Sequence, residues 1–515
     1  MRLEVIVAAH ARRTPDRVAV TCGGRRQTYR ELVDASDRLA CGLSALGVGV
    51  GDRVLIYVRN SVEFVQCLCA SFRVGAVVVP VNTRLTPKEI RYFVSDSKPH
   101  AIVYDAASRD VVESFGDDLG KAKRLVIGEA GDGEIGYDDL LRTPISHLAP
   151  LPCDATEAMI IYTSGTTGRP KGALITHANV LVQHGFINAI EWTIGRDDVY
   201  LVTTPLAHRT AQGRLGNSLC LGGTLVIMEK FDAEAAVELI ESEGVTVAGM
   251  VPTVARMLIP VIEKSPSRCR SLRRIVVTGE AFPVEVKKRL MELLPHVRLA
   301  SFFAMTEVGA VTSLDHEEQF THAASVGRVT PGVEVRLVDD GGSDVPVGET
   351  GEMLVRTGRP GAFTTFLGYF NRQEDTAATI DDGWVRTGDL ARFDDDGYMY
   401  IVDRKKDMVL SGGFNIYTKE VEQALHSHPS VRDAAVVGVP DAVFGEAVAA
   451  FVELEPGITT TAEELIEHCR ESIASYKKPK YVFFVDVLPR NTLGKVLKAD
   501  LRSSAAEMVA RYGAK

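Results

Sequence analysis

Short runs of β-branched and other apolar residues alternate with amphipathic stretches through most of this sequence. Residues 29–46, 62–74 and 233–243 repeat apolar positions with the period of a helix. The runs that predict strands lie at 53–58, 76–81, 125–127, 159–162, 199–203, 224–228, 245–250 and 274–278. Because strands that alternate with helices are typical of parallel sheets, the sequence predicts an α/β fold.

The pattern changes near Ser325, where glycines begin to punctuate short strands. Predicted strands at 332–338, 351–355 and 397–402 indicate a smaller β unit. After Asp403 a charged cluster precedes an α+β pattern that continues to Lys515. A chain of 515 residues allows roughly three units at about 150 residues each. We therefore predict a large N-terminal lobe over 1–403, with a β-rich subdomain from about 325, and a small α+β lobe over 404–515.

Charge and cysteine usage narrow the classes of partner and compartment. Asp and Glu outnumber Lys and Arg by 68 to 58, and a net charge of −10 argues against nucleic acid as the main partner. The eight cysteines are scattered without a Cys-x-x-Cys pair, as is typical of reduced thiols. The apolar stretch at the N-terminus is too short, and too soon interrupted by His10 and Arg12, to predict a secretory leader, and no segment has about 20 consecutive apolar residues. It predicts a cytoplasmic protein without an integral membrane segment, and a homodimer is compatible with it.

The densest group of polar donors is the segment 162–172, YTSGTTGRPKG, which directly follows a predicted strand. Such donors suit the oxygens of a polyphosphate, and a Gly/Thr-rich surface turn is the structural alternative. The segment is not a Walker A loop, because Lys171 follows Pro170 and precedes Gly172. The candidate phosphate-binding residues are Thr163, Ser164, Gly165, Thr166, Thr167, Gly168 and Lys171.

This segment resembles the AMP-binding signature of the adenylate-forming superfamily, which includes acyl-CoA synthetases, adenylation domains of nonribosomal peptide synthetases and firefly luciferase. Further matches follow in the order of that family at 303–307, 383–390, 403–407, 411–415 and 488–495. Together they span almost the whole chain. The sequence is thereby identified as similar to the acyl-CoA synthetase branch.

The resemblance implies an ATP-dependent acid–CoA ligase that forms an acyl-AMP and then an acyl-CoA thioester, with ATP, Mg²⁺ and coenzyme A. In its first step the loop 163–171 binds the β and γ phosphates, Thr306 contacts the α-phosphate and Glu307 holds Mg²⁺. Lys495 bridges the carboxylate and the α-phosphate. In isolation, a Thr-Glu pair is more typical of a helix cap.

The adenosine contacts also follow from the resemblance. Phe303 stacks on adenine, where the family usually has a Tyr, and backbone groups of Gly279, Glu280 and Ala281 flank the base. Asp389 and Arg404 bind the ribose hydroxyls, although a surface turn is the ordinary interpretation of an Asp after a glycine.

For the second step, the resemblance implies that the C-terminal lobe rotates about a hinge at Lys406. Gly412 and Gly413 would let the pantetheine arm pass close to the backbone. The nucleotide end of coenzyme A would meet Arg84, Phe444, Lys478 and Lys480. His208 aligns with a gate between the acyl pocket and the thiol tunnel, and a hydrogen-bonded histidine of the pocket wall is the alternative.

The acyl pocket, by the same resemblance, is mainly apolar and aromatic, which favours an aryl, alicyclic or medium-chain acid. Its predicted residues are Phe186, His208, Arg209, Gly249, Met250, Phe302, Phe303, Ala304, Met305 and Val311. An inward Arg209 would bind a second polar or anionic group of the substrate, but a surface position is more typical of arginine. The main alternative function is a stand-alone adenylation enzyme that loads an acyl or amino acid onto a carrier protein. A nucleotide-binding regulatory protein is disfavoured because Lys495, Glu307 and Asp389 are all present.

Overall fold

The computed structural model describes residues 1–163, 169–279, 282–490 and 496–512. The chain divides into two compact units. The first comprises Met1–Val335 and Val355–Val385, and the second comprises Arg336–Leu354 and Arg386–Lys515.

The helices begin and end at residues with clear local signals. Thr28 and Glu31 form a capping box at the start of the second helix, and Gly75, with φ of 79°, ends the third. The helices of the described chain are α1 Leu3–Arg13, α2 Tyr29–Ala45, α3 Val62–Val74, α4 Pro87–Ser97, α5 Arg109–Glu113, α6 Tyr137–Leu141, α7 His177–Val180, α8 Asn188–Trp192, α9 Arg209–Leu221, α10 Ala233–Ser242, α11 Pro252–Lys264, α12 Val284–Leu293, α13 Glu318–Thr321, α14 Gln373–Thr379, α15 Thr418–His426, α16 Ala462–Ser472 and α17 Lys498–Tyr512. A π-helix, Leu181–Ile187, joins α7 to α8.

A strand lies at each of the eleven predicted positions, and the described chain has further strands that the sequence analysis did not predict. The strands of the described chain are β1 Val18–Cys22, β2 Arg25–Thr28, β3 Arg53–Tyr57, β4 Val77–Pro80, β5 Ala101–Asp105, β6 Lys123–Ile127, β7 Ile135–Gly136, β8 Glu157–Thr163, β9 Lys171–Thr176, β10 Val199–Val202, β11 Thr224–Ile227, β12 Val247–Met250, β13 Arg274–Val277, β14 Arg298–Met305, β15 Gly309–Leu314, β16 Arg328–Val329, β17 Glu334–Val338, β18 Gly351–Arg356, β19 Gly368–Tyr369, β20 Ile380–Asp381, β21 Trp384–Phe393, β22 Met399–Arg404, β23 Val409–Ser411, β24 Phe414–Ile416, β25 Val431–Asp441, β26 Gly445–Leu454 and β27 Tyr481–Phe484.

Two large sheets organise the described part of the first unit. One has the strand order β16-β15-β14-β13-β12-β10-β11-β1-β2, and the other has the order β19-β9-β8-β4-β3-β5-β6-β7. Their central pairs, such as β12 with β13 and β3 with β4, are parallel. Helices cover these strands, and β4 is buried along its whole length. The predicted α/β fold is confirmed.

The second unit is built on smaller sheets. One sheet has the order β24-β23-β26-β25, with β27 also paired to β26. Helices α15 and α16 contribute Val421, Leu425 and Leu465 to a core on this sheet. Most of a second sheet, in which β21 pairs with β18 and β22, also belongs to this unit. The predicted small α+β region is present here.

Two further observations concern the whole described chain. All eight cysteines are free thiols. No helix within the described ranges combines the length and the apolar character that a bilayer-spanning helix needs.

Candidate active site

The predicted phosphate-binding segment connects two antiparallel strands of the first unit. Thr163, the last residue of β8, pairs with Lys171, the first residue of β9. Its hydroxyl donates to the carbonyl of Lys171 over 3.4 Å. The predicted residues Ser164, Gly165, Thr166, Thr167 and Gly168 lie outside the described residues.

Lys171 belongs to a chain of polar side chains that ends at Glu307. Its Nζ pairs with the carboxylate of Asp375 on α14 and lies 5.2 Å from the centre of the Tyr369 ring. The Tyr369 hydroxyl donates to Oε1 of Glu307 over 3.0 Å. Burial is the main cause of a raised pKa at Tyr369, so its hydroxyl stays protonated and able to donate. The fold thereby brings the predicted phosphate lysine and the predicted metal-binding glutamate together through a tyrosine.

Glu307 and Thr306 lie in the turn between β14 and β15. The turn is fixed by the backbone N–H of Phe366, which donates to the Glu307 carbonyl over 2.8 Å. It also needs Gly309, at φ of 74°, because a Cβ there would lie 2.5 Å from Oε1 of Gln183. Phe303, the predicted adenine-stacking residue, is half-buried on β14. Gly279 follows β13, and the adjacent predicted residues Glu280 and Ala281 lie outside the described residues.

A cavity of about 200 Å³ lies against this turn. Its wall includes Phe302, Thr306 and Gly279. The other predicted residues that line it are His208, Arg209, Gly249, Ala304 and Met305.

Four residues predicted for the acyl pocket do not line the cavity, and one of them is Phe303 on β14. Met250 and Val311 are buried, at 1% and 0% exposure, but do not line the cavity. Each follows a residue that does, Gly249 and Ala310, and successive side chains of a strand point to opposite faces. Phe186 lies on the π-helix and is 51% exposed.

The N-terminus of α9 forms one wall of the cavity. His208 caps the helix, with Nδ1 accepting from the backbone N–H of Thr210 over 3.4 Å. Burial lowers the pKa of His208 to about 4, so the ring is neutral at pH 7. Arg209, the first residue of α9, lines the cavity, and its Nη1 is buried. The expectation of a surface arginine is therefore wrong, because the helix start turns this residue toward the cavity.

In the second unit, the predicted ribose-binding residues form a cross-strand pair. Asp389 on β21 lies opposite Arg404 on β22, and Arg404 Nε donates to its Oδ1 over 3.1 Å. Asp389 is only 3% exposed. The predicted hinge residue Lys406 follows directly, and its carbonyl accepts from Arg502 over 3.2 Å.

Residues predicted for coenzyme A lie in both units. In the second unit Gly412 and Gly413 join β23 to β24 with φ of 58° and 84°, values that favour glycine. The N–H of Gly412 donates to the carbonyl of Phe444, whose side chain is 53% exposed.

The basic residues of that prediction are held by short contacts. Lys480 pairs with Asp441 over 2.5 Å, and Lys478 donates to the carbonyl of Ser475 over 3.1 Å. Arg84 is an exposed residue of the first unit. The predicted catalytic residue Lys495 lies outside the described residues.

Sequence reasoning missed several residues of this region. Tyr369 and Asp375 complete the chain of contacts from Lys171 to Glu307, and Arg214 and His184 line the cavity. No local pattern marks the first two. Arg214 is likewise unmarked in the sequence, because α9 also carries the apolar residues Ala211, Leu215 and Leu219, which pack in the core as in an ordinary amphipathic helix. Within the described ranges, no group of three or more His, Cys, Asp or Glu side chains is placed to hold a metal ion.

Comparisons with known proteins identify the family of the chain. Residues 7–370 match the family model described as AMP-binding enzyme, and residues 420–495 match the AMP-binding enzyme C-terminal domain. The chain is 35% identical over 502 residues to a feruloyl-CoA synthase of Amycolatopsis sp, with 96% of each chain covered. It is 34% identical over 491 residues to the long-chain-fatty-acid–CoA ligase FadD13 of Mycobacterium tuberculosis, with 94% of each covered.

A solved structure, ATP-bound MatB from Rhodopseudomonas palustris, matches with a TM-score of 0.87 and 30% identity, covering 99% of this chain and 100% of that one. The fold, the order of the motifs and these matches lead to one assignment. The chain belongs to the AMP-binding enzyme family, within its acyl-CoA synthetase branch.

Proposed function

We propose that this protein is an ATP-dependent acid–CoA ligase. A carboxylate oxygen of the substrate attacks the α-phosphorus of ATP, the bond to the β-phosphate oxygen breaks, and acyl-AMP and pyrophosphate form. The sulfur of coenzyme A then attacks the acyl carbon, its proton passes to solvent, and AMP leaves with the carbon–oxygen bond electrons. ATP and coenzyme A are the substrates that the family assignment implies.

The proposal rests on one observation, the series of side-chain contacts that links Lys171 through Tyr369 to Glu307 beside the cavity. Both reactants are anions, so the reaction needs a cation and hydrogen-bond donors where the phosphates meet the acid. Lys171 supplies a positive charge at the end of the glycine-rich segment, and Thr306, the neighbour of Glu307, lines the cavity. The proposed phosphate contacts and the acid therefore share one region of the first unit.

The residues present fit a magnesium ion. Mg²⁺ in nucleotide sites commonly takes one or two carboxylates together with phosphate oxygens. Glu307 is a carboxylate of this kind, and it is oriented by the Tyr369 hydroxyl on one oxygen. A bound Mg²⁺ would neutralise charge that develops on the transferred phosphate.

Further roles complete the proposal. Lys495 bridges the carboxylate and the α-phosphate, Asp389 with Arg404 binds the ribose, and Phe303 and Gly279 contact the adenine. For the second step, a C-terminal domain that begins at residue 404 turns about Lys406. The exposed Phe444 side chain and the open backbone at Gly413 support a surface for coenzyme A in the second unit. We also propose a cytoplasmic location, which the free thiols support.

The test measures pyrophosphate release from the full chain with ATP, Mg²⁺ and a panel of aryl, alicyclic and medium-chain acids. Mass spectrometry then detects the coenzyme A thioester of each acid that reacts. Lys495→Ala should lower acyl-AMP formation by about 100- to 1,000-fold, the usual effect of removing one transition-state contact. Lys121→Ala, at an exposed lysine of the first unit, is the matched control and should leave the rate unchanged.

Two results would contradict this assignment. If Lys495→Ala accumulates acyl-AMP at the native rate, the proposed role of Lys495 in the mechanism is contradicted. Acyl transfer to a carrier protein, with no thioester formed on coenzyme A, would instead establish the carrier-loading alternative.

A further inference from the structure

The cavity wall carries two arginines whose N–H groups lack partners. Arg214 is only 3% exposed, and neither Nε nor Nη1 has a hydrogen-bond partner among the described residues. Nη1 of Arg209, five residues earlier on α9, is also buried without a partner there. Both residues line the cavity. The unpaired donors therefore belong to residues of the cavity wall.

The charge of this wall is uncompensated. Among the described residues that line the cavity, none is Asp or Glu. Glu307 favours the charged form of Arg209 through space, but Arg214 has no acidic group with a comparable effect. Burial lowers the pKa of both guanidinium groups to about 10, so both remain cationic at pH 7. A buried, unpaired cation is strongly unfavourable unless a ligand supplies the opposite charge.

Another buried arginine of the first unit shows the contrast. Arg274, at 6% exposure on β13, donates to Asp315 over 3.5 Å. Arg214 instead lies 4.8 Å from the Trp192 ring, which supports the flat face of the guanidinium. That contact leaves the N–H edge without a partner.

A third donor belongs to His184. Oδ1 of Asn188 accepts from Gln183, so the Asn188 amide NH₂ faces Nδ1 of His184, over 3.2 Å. Nδ1 is then the acceptor, and Nε2 carries the proton. Nε2 is buried without a partner among the described residues, and His184 lines the cavity. Burial lowers the pKa of His184, so the ring acts as a neutral donor.

The backbone makes room for these side chains. A Cβ at Gly249 would lie 2.8 Å from Cδ of Arg214, and a Cβ at Gly216 would lie 2.6 Å from Cδ2 of His184. Any larger residue at either position would displace the side chain beside it. Two glycines thus keep the two donors in place at the cavity wall.

Resting on the proposed ligase function, we propose that the substrate is a dicarboxylic acid whose second carboxylate is bound by Arg214, Arg209 and His184. A carboxylate accepts from several N–H donors at once and neutralises a guanidinium, which is what this wall requires. The second carboxylate takes no part in bond making and remains free in the thioester product. An empty cavity of 150 Å³ holds benzene, so the roughly 200 Å³ here suits a single ring or a short chain between the two acid groups.

The experiment compares matched acids on the wild-type chain. Each pair has the same skeleton with one or two carboxylates: benzoate with the three benzenedicarboxylates, hexanoate with adipate, and cyclohexanecarboxylate with its dicarboxylates. Pyrophosphate release gives kcat/KM, and mass spectrometry identifies the thioester. We expect at least one diacid to exceed its monoacid by roughly 30- to 1,000-fold, the usual range for one buried charge pair.

A variant that removes the charge of Arg214 tests whether the cavity wall causes the preference for diacids. In Arg214→Met, which keeps the side-chain length, kcat/KM for the preferred diacid should fall by a similar factor because its KM rises. The ratio of kcat/KM for the matched monoacid to kcat/KM for the diacid should therefore increase. Arg268→Met is the control, because Arg268 forms ion pairs with Glu234 and Glu241 at the surface. It should leave the diacid-to-monoacid ratio unchanged.

The outcomes separate the two proposals. If the wild-type chain converts monoacids as well as or better than their diacids, the dicarboxylate proposal is overturned while the ligase function stands. A diacid preference that survives in folded Arg214→Met also overturns it. If no acid of any pair yields pyrophosphate and a thioester, the ligase function itself fails. The wild-type comparison needs no variant to fold.

Discussion

Polar side chains of the second unit form hydrogen bonds within the chain, whereas two side chains at the cavity of the first unit have N–H groups without such partners among the described residues. In the second unit, Arg404 pairs with Asp389, and Asp403 accepts from the hydroxyl of Thr418 over 2.9 Å. In the cavity of the first unit, Arg214 and His184 have buried N–H groups without partners among the described residues. The paired side chains of the second unit form their hydrogen bonds within the chain. The unpaired N–H groups of the cavity gain acceptors only when a molecule from outside the chain binds there.

Lys171 shows that the distinction is not absolute. This lysine pairs with Asp375 although its position in the glycine-rich segment predicts phosphate binding. A phosphate at this point would compete with the carboxylate of Asp375. Pairing within the chain therefore keeps a binding residue satisfied before the ligand arrives, and only an unpaired buried group points directly to a ligand.

The largest effect expected from the contrast between paired and unpaired groups tests whether a paired group also binds ATP. Asp389→Asn should raise the KM for ATP by about 10- to 100-fold, because a hydrogen bond to a charged group is worth about 1.5–3 kcal/mol. Pyrophosphate release at varied ATP concentration measures it. Glu467→Gln, at an exposed glutamate of the same unit that pairs with Arg470 over 2.5 Å, is the matched control. An unchanged KM in Asp389→Asn would limit Asp389 to a structural pair with Arg404.

The second effect concerns stability without ligand. Arg214→Met should raise the free energy of unfolding by about 1–2 kcal/mol, because it replaces an unpaired buried charge with an apolar side chain. Arg274→Met should lower it, since this change removes a partner of Asp315. Urea denaturation of the apo protein measures both.

Loss of stability to the same degree in both variants would contradict the contrast between the two arginines. It would mean that Arg214 is held by the fold as firmly as Arg274. The comparison is direct because both residues are nearly fully buried in the first unit, at 3% and 6% exposure.

Much of the fold could be predicted from the sequence because its central strands are buried on both faces. All residues of β4, and residues 275–277 of β13, are buried and apolar, so each strand contains an apolar run that stands out in the sequence. Helix starts carry their own signals, such as the capping box of Thr461 and Glu464 at α16. These features depend on neighbours in sequence, which a sequence pattern records.

The site was predictable only in part, for the opposite reason. Lys171 and Glu307 belong to local motifs, but Tyr369, which joins them, lies 62 residues from Glu307 and follows no motif. Arg209 and Arg214 are ordinary residues of a helix until α9 is placed against the cavity. Arginine is usually exposed, so the sequence alone favours the wrong position.

The smallest effect uses a histidine of the second unit, the counterpart of His184. His426 donates from Nδ1 to the Glu422 carbonyl over 2.7 Å and contacts Oδ1 of Asp433 through Nε2 over 2.9 Å. The hydrogen bond to Asp433 is the main cause of a raised pKa at His426. A raised pKa in the folded state stabilises the protein below the unfolded value, near 6.5, and this gain disappears as the pH rises through the folded value.

The free energy of unfolding of the wild-type chain, relative to His426→Gln, should therefore decrease between about pH 6 and pH 8. The difference is expected to be a few tenths of a kcal/mol, because the ring is partly exposed to solvent. His184→Gln offers the comparison with the opposite sign. Burial lowers the folded-state pKa of His184 well below the unfolded value near 6.5, so the free energy of unfolding of the wild-type chain relative to His184→Gln should increase between about pH 6 and pH 8. A constant difference for His426→Gln would show that the Asp433 contact does not hold a proton on His426, and the two histidines would then no longer represent paired and unpaired groups.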